Sequence, residues 1–192
     1  ELKEKLELVA HMLRKLHDNT QTYYDKEEEF SKFSYVLNHL KISRHMKGEY
    51  KYLLGKWQHS SLLDIKKGCM IHNDSTPVNF VFFRGKPFLI DFELSSRHGH
   101  FACDLGILCA ELKYYFAREG LSQRAEPYIH HFLKHYSKDE EEFRKITKVI
   151  PFYMAYNFLR IAIFKSNTGY RDYPLREAKK CLKTIYLRKK IR

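Results

Sequence analysis

The sequence predicts a mostly helical α+β fold, and three observations carry that prediction. Apolar residues recur at three- and four-residue spacing through most of the chain. One stretch, residues 80–90, switches to short aromatic and branched runs around a tight turn. Glycine and proline are scarce, 8 and 5 in 192 residues, so long elements are expected.

Leu2, Leu6, Val9, Leu13 and Leu16 form one apolar stripe, which predicts a helix to about His17, broken by Asp18-Asn19. Lys26 to Leu40 reads as a second helix, with Phe30, Phe33, Val36, Leu37 and Leu40 on one side. A third is expected near 46–58, then a helical turn near Leu62 to Lys66. Cys69-Met70-Ile71 is a short apolar run entering His72. Phe80-Val81-Phe82-Phe83 and Pro87-Phe88-Leu89-Ile90 flank the turn signal Arg84-Gly85-Lys86 and form the one hairpin and one sheet expected. Beyond Arg97-His98-Gly99-His100 the helical period returns. Helices are expected near 103–117, 124–136, 139–148, 151–166 and 172–188, with breaks at Gly120, Ser137 and Gly169. No repeat, low-complexity linker or domain boundary interrupts residues 1–192, so one domain is expected.

Hydrophobic residues at 44% and charged residues at 30% place the chain among globular proteins and exclude a disordered one. A formal net charge of +12 favours anionic partners, although an ordinary Lys/Glu-rich surface accounts for it equally well. The basic residues spread along the chain and do not gather on one face, so nucleic acid is not an expected partner. The terminal run Leu187-Arg188-Lys189-Lys190-Ile191-Arg192 reads as a solvated helix end. Cys69, Cys103, Cys109 and Cys181 show no paired metal spacing, and the first and second lie in apolar context, which fits small core residues in a reducing cytoplasm. His98-Gly99-His100 and His130-His131 lack a complete local ligand set and read as loop or helix-surface histidines. Without a signal peptide or an 18-residue apolar run, no membrane span is expected. The chain opens at Glu1, without Met and inside a helical pattern, so a fragment, a processed product or a trimmed chain is expected.

The chemistry concentrates in His72-Asn73-Asp74-Ser75-Thr76-Pro77-Val78-Asn79 and Ile90-Asp91-Phe92-Glu93. Alone, Asp74 is a turn residue or helix cap, Asn79 a turn amide and Asp91 a strand-end cap. Together they have a shared logic. Pro77 keeps the first segment from becoming helix, Asn79 opens the hairpin and Asp91 closes it, so the two should meet, with Asp74 in reach. Two carboxylates and an amide make a hard-oxygen environment suited to magnesium. Phosphoryl transfer uses such a set: one carboxylate for the acceptor hydroxyl, an amide and a carboxylate for the metal on the nucleotide phosphates.

These segments, H-N-D-S-T-P-V-N and I-D-F-E, resemble the catalytic and metal loops of the protein-kinase-like superfamily, in its aminoglycoside phosphotransferase and choline kinase branch. That branch favours H-G-D-x-x-x-x-N followed by I-D-[FWY]-[ED]. Leu13-Arg14-Lys15-Leu16-His17 is similar to its L-x-x-L-H helix, and Cys103-Asp104-Leu105-Gly106 to its D-L-[AG] step. The resemblance covers nearly the whole chain as a C-terminal lobe. It implies ATP and Mg2+ (with Mn2+ as a substitute), Asp74 as catalytic base, and Asn79 and Asp91 as metal and cofactor ligands. It further implies that His72 braces the loop, that Asp104 anchors it by accepting backbone hydrogen bonds where a plain helix N-cap is the simpler reading, and that His17 is a packed helix residue. Glu93 either assists at the metal or substrate or is a solvent-facing turn residue.

Three departures qualify the likeness. Asn73 replaces the family's glycine, which Asn tolerates because it reaches left-handed backbone angles. Thr76 stands where many relatives carry His or Lys against the transferred phosphate, which leaves that charge unassigned. The sequence has no G-x-G-x-x-G and no P-loop, so the N-terminal lobe that covers ATP is absent from it. The expected function is therefore an ATP- and Mg-dependent phosphotransferase acting as part of a longer chain, with activity of these residues alone left open. The alternative is a pseudokinase-like or truncated binding module without catalysis. The acceptor is a hydroxyl on a protein Ser/Thr or a small molecule, and a polycationic aminoglycoside suits a +12 lobe badly. Tyr114, Tyr115, Tyr153 and Arg160 are unranked candidates for the acceptor pocket.

Overall fold

The computed structural model describes residues 1–164 and 172–187. Along them run helices α1 (Leu2–Asn19), α2 (Lys26–His39) and α3 (Arg44–Gln58), then strands β1 (Cys69–Ile71), β2 (Phe80–Phe83), β3 (Lys86–Leu89) and β4 (Ser96–Gly99). Helices α4 (Ala102–Arg118), α5 (Glu126–Tyr136), α6 (Glu140–Phe164) and α7 (Asp172–Leu187) follow. Short 3-10 turns occupy Ser61–Leu63, Pro77–Asn79 and Phe92–Leu94. The architecture is mostly helical α+β. Among the described residues, no helix is long and apolar enough to cross a membrane.

Local chemistry sets the element ends. The Asp25 side chain accepts the Glu28 N–H at 3.0 Å, and Glu27, Glu28 and Glu29 fill the positive first turn of α2. Ser43 caps α3 through the Met46 N–H at 3.2 Å. The hairpin pairs Phe80 with Leu89, Val81 with Phe88, Phe82 with Pro87 and Phe83 with Lys86. Its two turn residues, Arg84 and Gly85, both take positive φ, 48° and 74°.

Two expectations need correction. A second antiparallel pair, β1 with β4, accompanies the hairpin, so the expected single sheet is two. Ser96-Arg97-His98-Gly99 carries no alternating apolar pattern; it pairs because Gly99 lets it approach β1, where an added Cβ would stand 2.3 Å from Ile71 Cδ1. The expected separate helices at 139–148 and 151–166 are one, α6, with Pro151 inside. An interior proline costs about 3 kcal/mol. Val149, Ile150, Phe152, Tyr153 and Ala155 are all buried around it, and at about 1.5–3 kcal/mol for each large side chain the packing outweighs that cost. The expected break at Gly169, the residues of the 151–166 helix past 164, and Arg188 to Arg192 lie outside the described residues.

The core is built around α6, which packs against α4 and α7, while α1 lies against α5 and α3 against α7. Phe152 from α6 meets Phe33 and Trp57 at ring separations of 5.2 and 5.4 Å. Trp57 Nε1 donates to Leu182 O at 2.9 Å and the Tyr50 hydroxyl to Leu175 O at 2.6 Å, so both buried polar tips are satisfied. Gly106 lets α4 and α6 close together: a Cβ there would sit 2.3 Å from Tyr153 Cβ. All four cysteines are free thiols, with Cys69, Cys103 and Cys109 buried. The consequence for function is positional. The first turn of α4 and the far end of α6 both abut the loop between β1 and β2.

Candidate active site

Asp104 organises the loop from below. Its side chain is fully buried in the first turn of α4, where the helix dipole favours a carboxylate. Phe101, not Asp104, is the N-cap residue. Asp104 Oδ2 accepts the His72 N–H at 2.8 Å, and Oδ1 accepts the Asn73 N–H at 2.8 Å. Ser75 Oγ donates to the Asp104 carbonyl at 2.7 Å. His17, from α1, lies 3.0 Å from Asp104 Oδ2 through Nε2 and 2.8 Å from the Tyr136 hydroxyl through Nδ1. Because the carboxylate accepts, Nε2 carries a proton, and the Tyr136 hydroxyl holds the ring from the other side through Nδ1. A buried chain of α5, α1 and α4 residues thus ends on the loop backbone.

His72 joins the two acidic segments. It is fully buried, and its Nε2 donates to the Ile90 carbonyl at 2.8 Å, one residue before Asp91. Its ring meets Phe92 edge-on at 4.7 Å. Asn73 takes φ 62°, and its Nδ2 donates to Leu94 O at 3.1 Å, a second tie between the segments.

Asp74 is half-buried, and both its carboxylate oxygens are engaged. Arg160 Nη2 donates to Oδ1 at 2.7 Å, while Nη1 donates to Asn73 O at 2.9 Å. Asn79 Nδ2 donates to Asp74 Oδ2 at 2.9 Å and to its carbonyl at 2.8 Å. That uses the Asn79 N–H groups and leaves its amide oxygen as the atom able to ligate a cation. The Ile90 N–H donates to Asn79 O at 3.0 Å, so the hairpin register sets Asp91 just past the partner of Asn79. Asp91 is exposed at φ 66°, a left-handed conformation that aspartate adopts more readily than bulkier residues. The Asn79 amide oxygen and the Asp91 carboxylate are hard oxygen donors, of a kind that suits magnesium and not a soft metal. Thr76 is half-buried and engaged through its backbone, its N–H donating to Asp74 O at 2.7 Å and its carbonyl accepting the Asn79 N–H at 3.0 Å. Glu93 is exposed in the Phe92–Leu94 turn.

Of the acceptor-pocket candidates, Arg160 reaches the loop. Tyr114 and Tyr153 are buried in the core and Tyr115 is exposed on α4. The sequence held a signal for Arg160: it is the sole charged residue between Val149 and Phe164, and a lone charge in an apolar run calls for a buried partner. A groove of about 410 Å3 lined by Leu62, Ile65, Phe101, Ile146 and Val149 includes neither Asp74 nor Asp91.

The outward face of the hairpin is apolar. Val81, Phe83 and Phe88 are exposed, as are Val78, Ile90 and Leu94 beside the acidic residues.

Among known proteins, the model of the phosphotransferase enzyme family matches residues 2–145. No curated protein and no solved structure matches the chain.

Proposed function

Because the chain belongs to the phosphotransferase enzyme family, we propose that it transfers the terminal phosphoryl group of ATP to a hydroxyl, on a protein Ser/Thr or a small molecule. Asp74 orients that hydroxyl and takes its proton. The Asn79 amide oxygen and the Asp91 carboxylate form the oxygen set for magnesium, or manganese in its place. A metal held there would supply charge neutralisation for the nucleotide phosphates. His72 and Asp104 hold the two loops in register, and Glu93 stands at the rim. In this reading residues 1–192 are the lobe that bears the acidic loops, and the lid over the nucleotide is a separate lobe.

Arg160 fills the role that Thr76 leaves open. Phosphoryl transfer is catalysed mainly by positioning and by charge placed where negative charge is transferred. The Arg160 guanidinium, fixed on Asp74 Oδ1 at 2.7 Å, is the cation that stands beside the acceptor's proton-accepting group. A side chain from α6 thereby supplies what a loop Lys or His supplies in relatives.

The observation that carries the proposal is the pair of hydrogen bonds that Asn79 Nδ2 donates to the Asp74 carbonyl and Oδ2, at 2.8 and 2.9 Å, which couples the base to the metal ligand. The test is phosphoryl transfer from labelled ATP with magnesium to Ser/Thr proteins and small hydroxyl compounds. Asp74→Asn is expected to lower the rate by about 10²–10⁴. An unchanged rate would sink the assignment. A second reading, a binding module without catalysis, is favoured by the exposed apolar face of Val81, Phe83 and Phe88. It predicts no transfer in the wild type with any acceptor.

A further inference from the structure

On the outer side of the α1–α5 pair, remote in role from the acidic loops, three side chains with metal-ligating atoms converge, and a fourth, His131, approaches Glu7. Glu7 and His11 are spaced i, i+4 on α1, and His131 and His135 are spaced i, i+4 on α5, so each pair shares one helix face. One ligating atom each from Glu7, His11 and His135 lies within 4.8 Å of the others. Glu7 Oε1 is 3.6 Å from His135 Nδ1, and Glu7 Oε2 is 3.9 Å from His131 Nε2. The rings of His131 and His135 are 4.3 Å apart, and those of His11 and His135 5.9 Å. His131 Nε2 is buried and has no hydrogen-bond partner.

A surface ion pair does not account for this group. One carboxylate neutralises one imidazolium, and three imidazoles crowd it. Protonating all of them would place like charges side by side, whereas each neutral imidazole keeps one nitrogen lone pair, and three such lone pairs crowd a carboxylate that carries none of the protons. A divalent cation resolves that conflict. One carboxylate with imidazole nitrogens is a zinc-type donor set, and magnesium, which needs an oxygen cage, is poorly served by it. Tetrahedral zinc sets its ligand atoms roughly 3.4 Å apart, close enough to the observed spacing for side-chain rotation to reach.

We propose that Glu7, His11, His131 and His135 form a site for a zinc-class divalent cation that clamps α1 to α5. The clamp bears on the active-site support, because α1 also carries His17 and α5 carries its partner Tyr136. The proposal stands independently of the phosphotransferase reading, since its readout is binding of the metal alone.

The experiment is titration of the full chain, stripped with chelator, with zinc chloride by calorimetry, with magnesium chloride as control and cobalt(II) absorption as a report of geometry. One equivalent of zinc is expected, with cobalt bands of a four-coordinate site and a raised melting temperature. His11→Ala and His135→Ala should each weaken zinc binding by at least about tenfold. His130→Ala, beside the site but outside the ligand set, should bind as the wild type. His11 is exposed, so its replacement leaves packing intact, and circular dichroism checks each variant. Absence of zinc binding overturns the proposal. So does full-strength binding in both His11→Ala and His135→Ala.

Discussion

Arg160 Nη2 donates to Asp74 Oδ1 at 2.7 Å, joining residues 86 positions apart in the chain. The same guanidinium holds the Asn73 carbonyl, so α6 grips both the loop backbone and its carboxylate. Arg160→Ala removes the charge and leaves a half-buried carboxylate short of a donor. It is expected to reduce kcat by about 10²–10³ and to cost about 1–3 kcal/mol of stability. Arg160→Lys keeps the charge but not the two-pronged geometry, so it should restore part of the stability and less of the rate. Steady-state kinetics beside urea unfolding separates the two effects. A kcat in Arg160→Ala equal to the wild type would remove Arg160 from the mechanism.

Asp91 allows a cleaner substitution. It is exposed and left-handed at φ 66°, and asparagine accepts that conformation. Asp91→Asn therefore removes charge without strain, and stability should change by no more than about 0.5 kcal/mol. The magnesium concentration for half-maximal transfer should rise by about tenfold or more. A magnesium titration of the rate measures this; an unshifted midpoint would take Asp91 out of the ligand set.

Asp104 should show the opposite balance. It is fully buried and accepts two backbone N–H groups and His17. Asp104→Asn presents an amide N–H where an acceptor is needed, so at least one donor faces another. A loss of about 3–5 kcal/mol is expected. The midpoint of urea unfolding reports it, and a loss below about 1 kcal/mol would show that the anchor is dispensable.

How far these features were legible depended on whether the signal was local. The α1 stripe, buried at Leu6, Val9 and Leu13, and the Arg84-Gly85 turn are set by neighbours in sequence, and both appear where periodicity and turn chemistry put them. The continuity of α6 through Pro151 and the pairing of β4 with β1 depend on what packs around them, namely the buried residues flanking Pro151 and the bare Cα of Gly99. The same division runs through the site. Asp74, Asn79 and Asp91 stand out because one short segment holds them all. Arg160 and the facing pairs Glu7/His11 and His131/His135 become neighbours only when helices distant in sequence pack. In the sequence each pair is only an i, i+4 spacing, and two ligands on one helix do not make a site until a second helix faces them.

The contact between α2 and the turn before α4 gives the protein a pH dependence with two opposed parts. Glu29 is 5% exposed and accepts the His100 N–H at 3.0 Å. Burial pushes its carboxyl from the ordinary 4.5 up to about 7, against the pull of that N–H and of Lys32. Between those values the folded chain keeps a proton that the unfolded chain has released, so stability falls as pH rises. The loss is complete above pH 7 and amounts to about 3 kcal/mol at most. His100 works the other way: burial pushes it from 6.5 down to about 3, so stability falls as pH drops across that window. Glu29→Gln removes only the first part, because glutamine still accepts the His100 N–H. The variant should match the wild type near pH 4.5 and gain on it steadily up to about pH 8, by at most about 3 kcal/mol. Urea unfolding of both chains at matched pH values measures the difference, and a difference that stays flat from about pH 5 to 8 would mean Glu29 is ionised throughout in the folded protein.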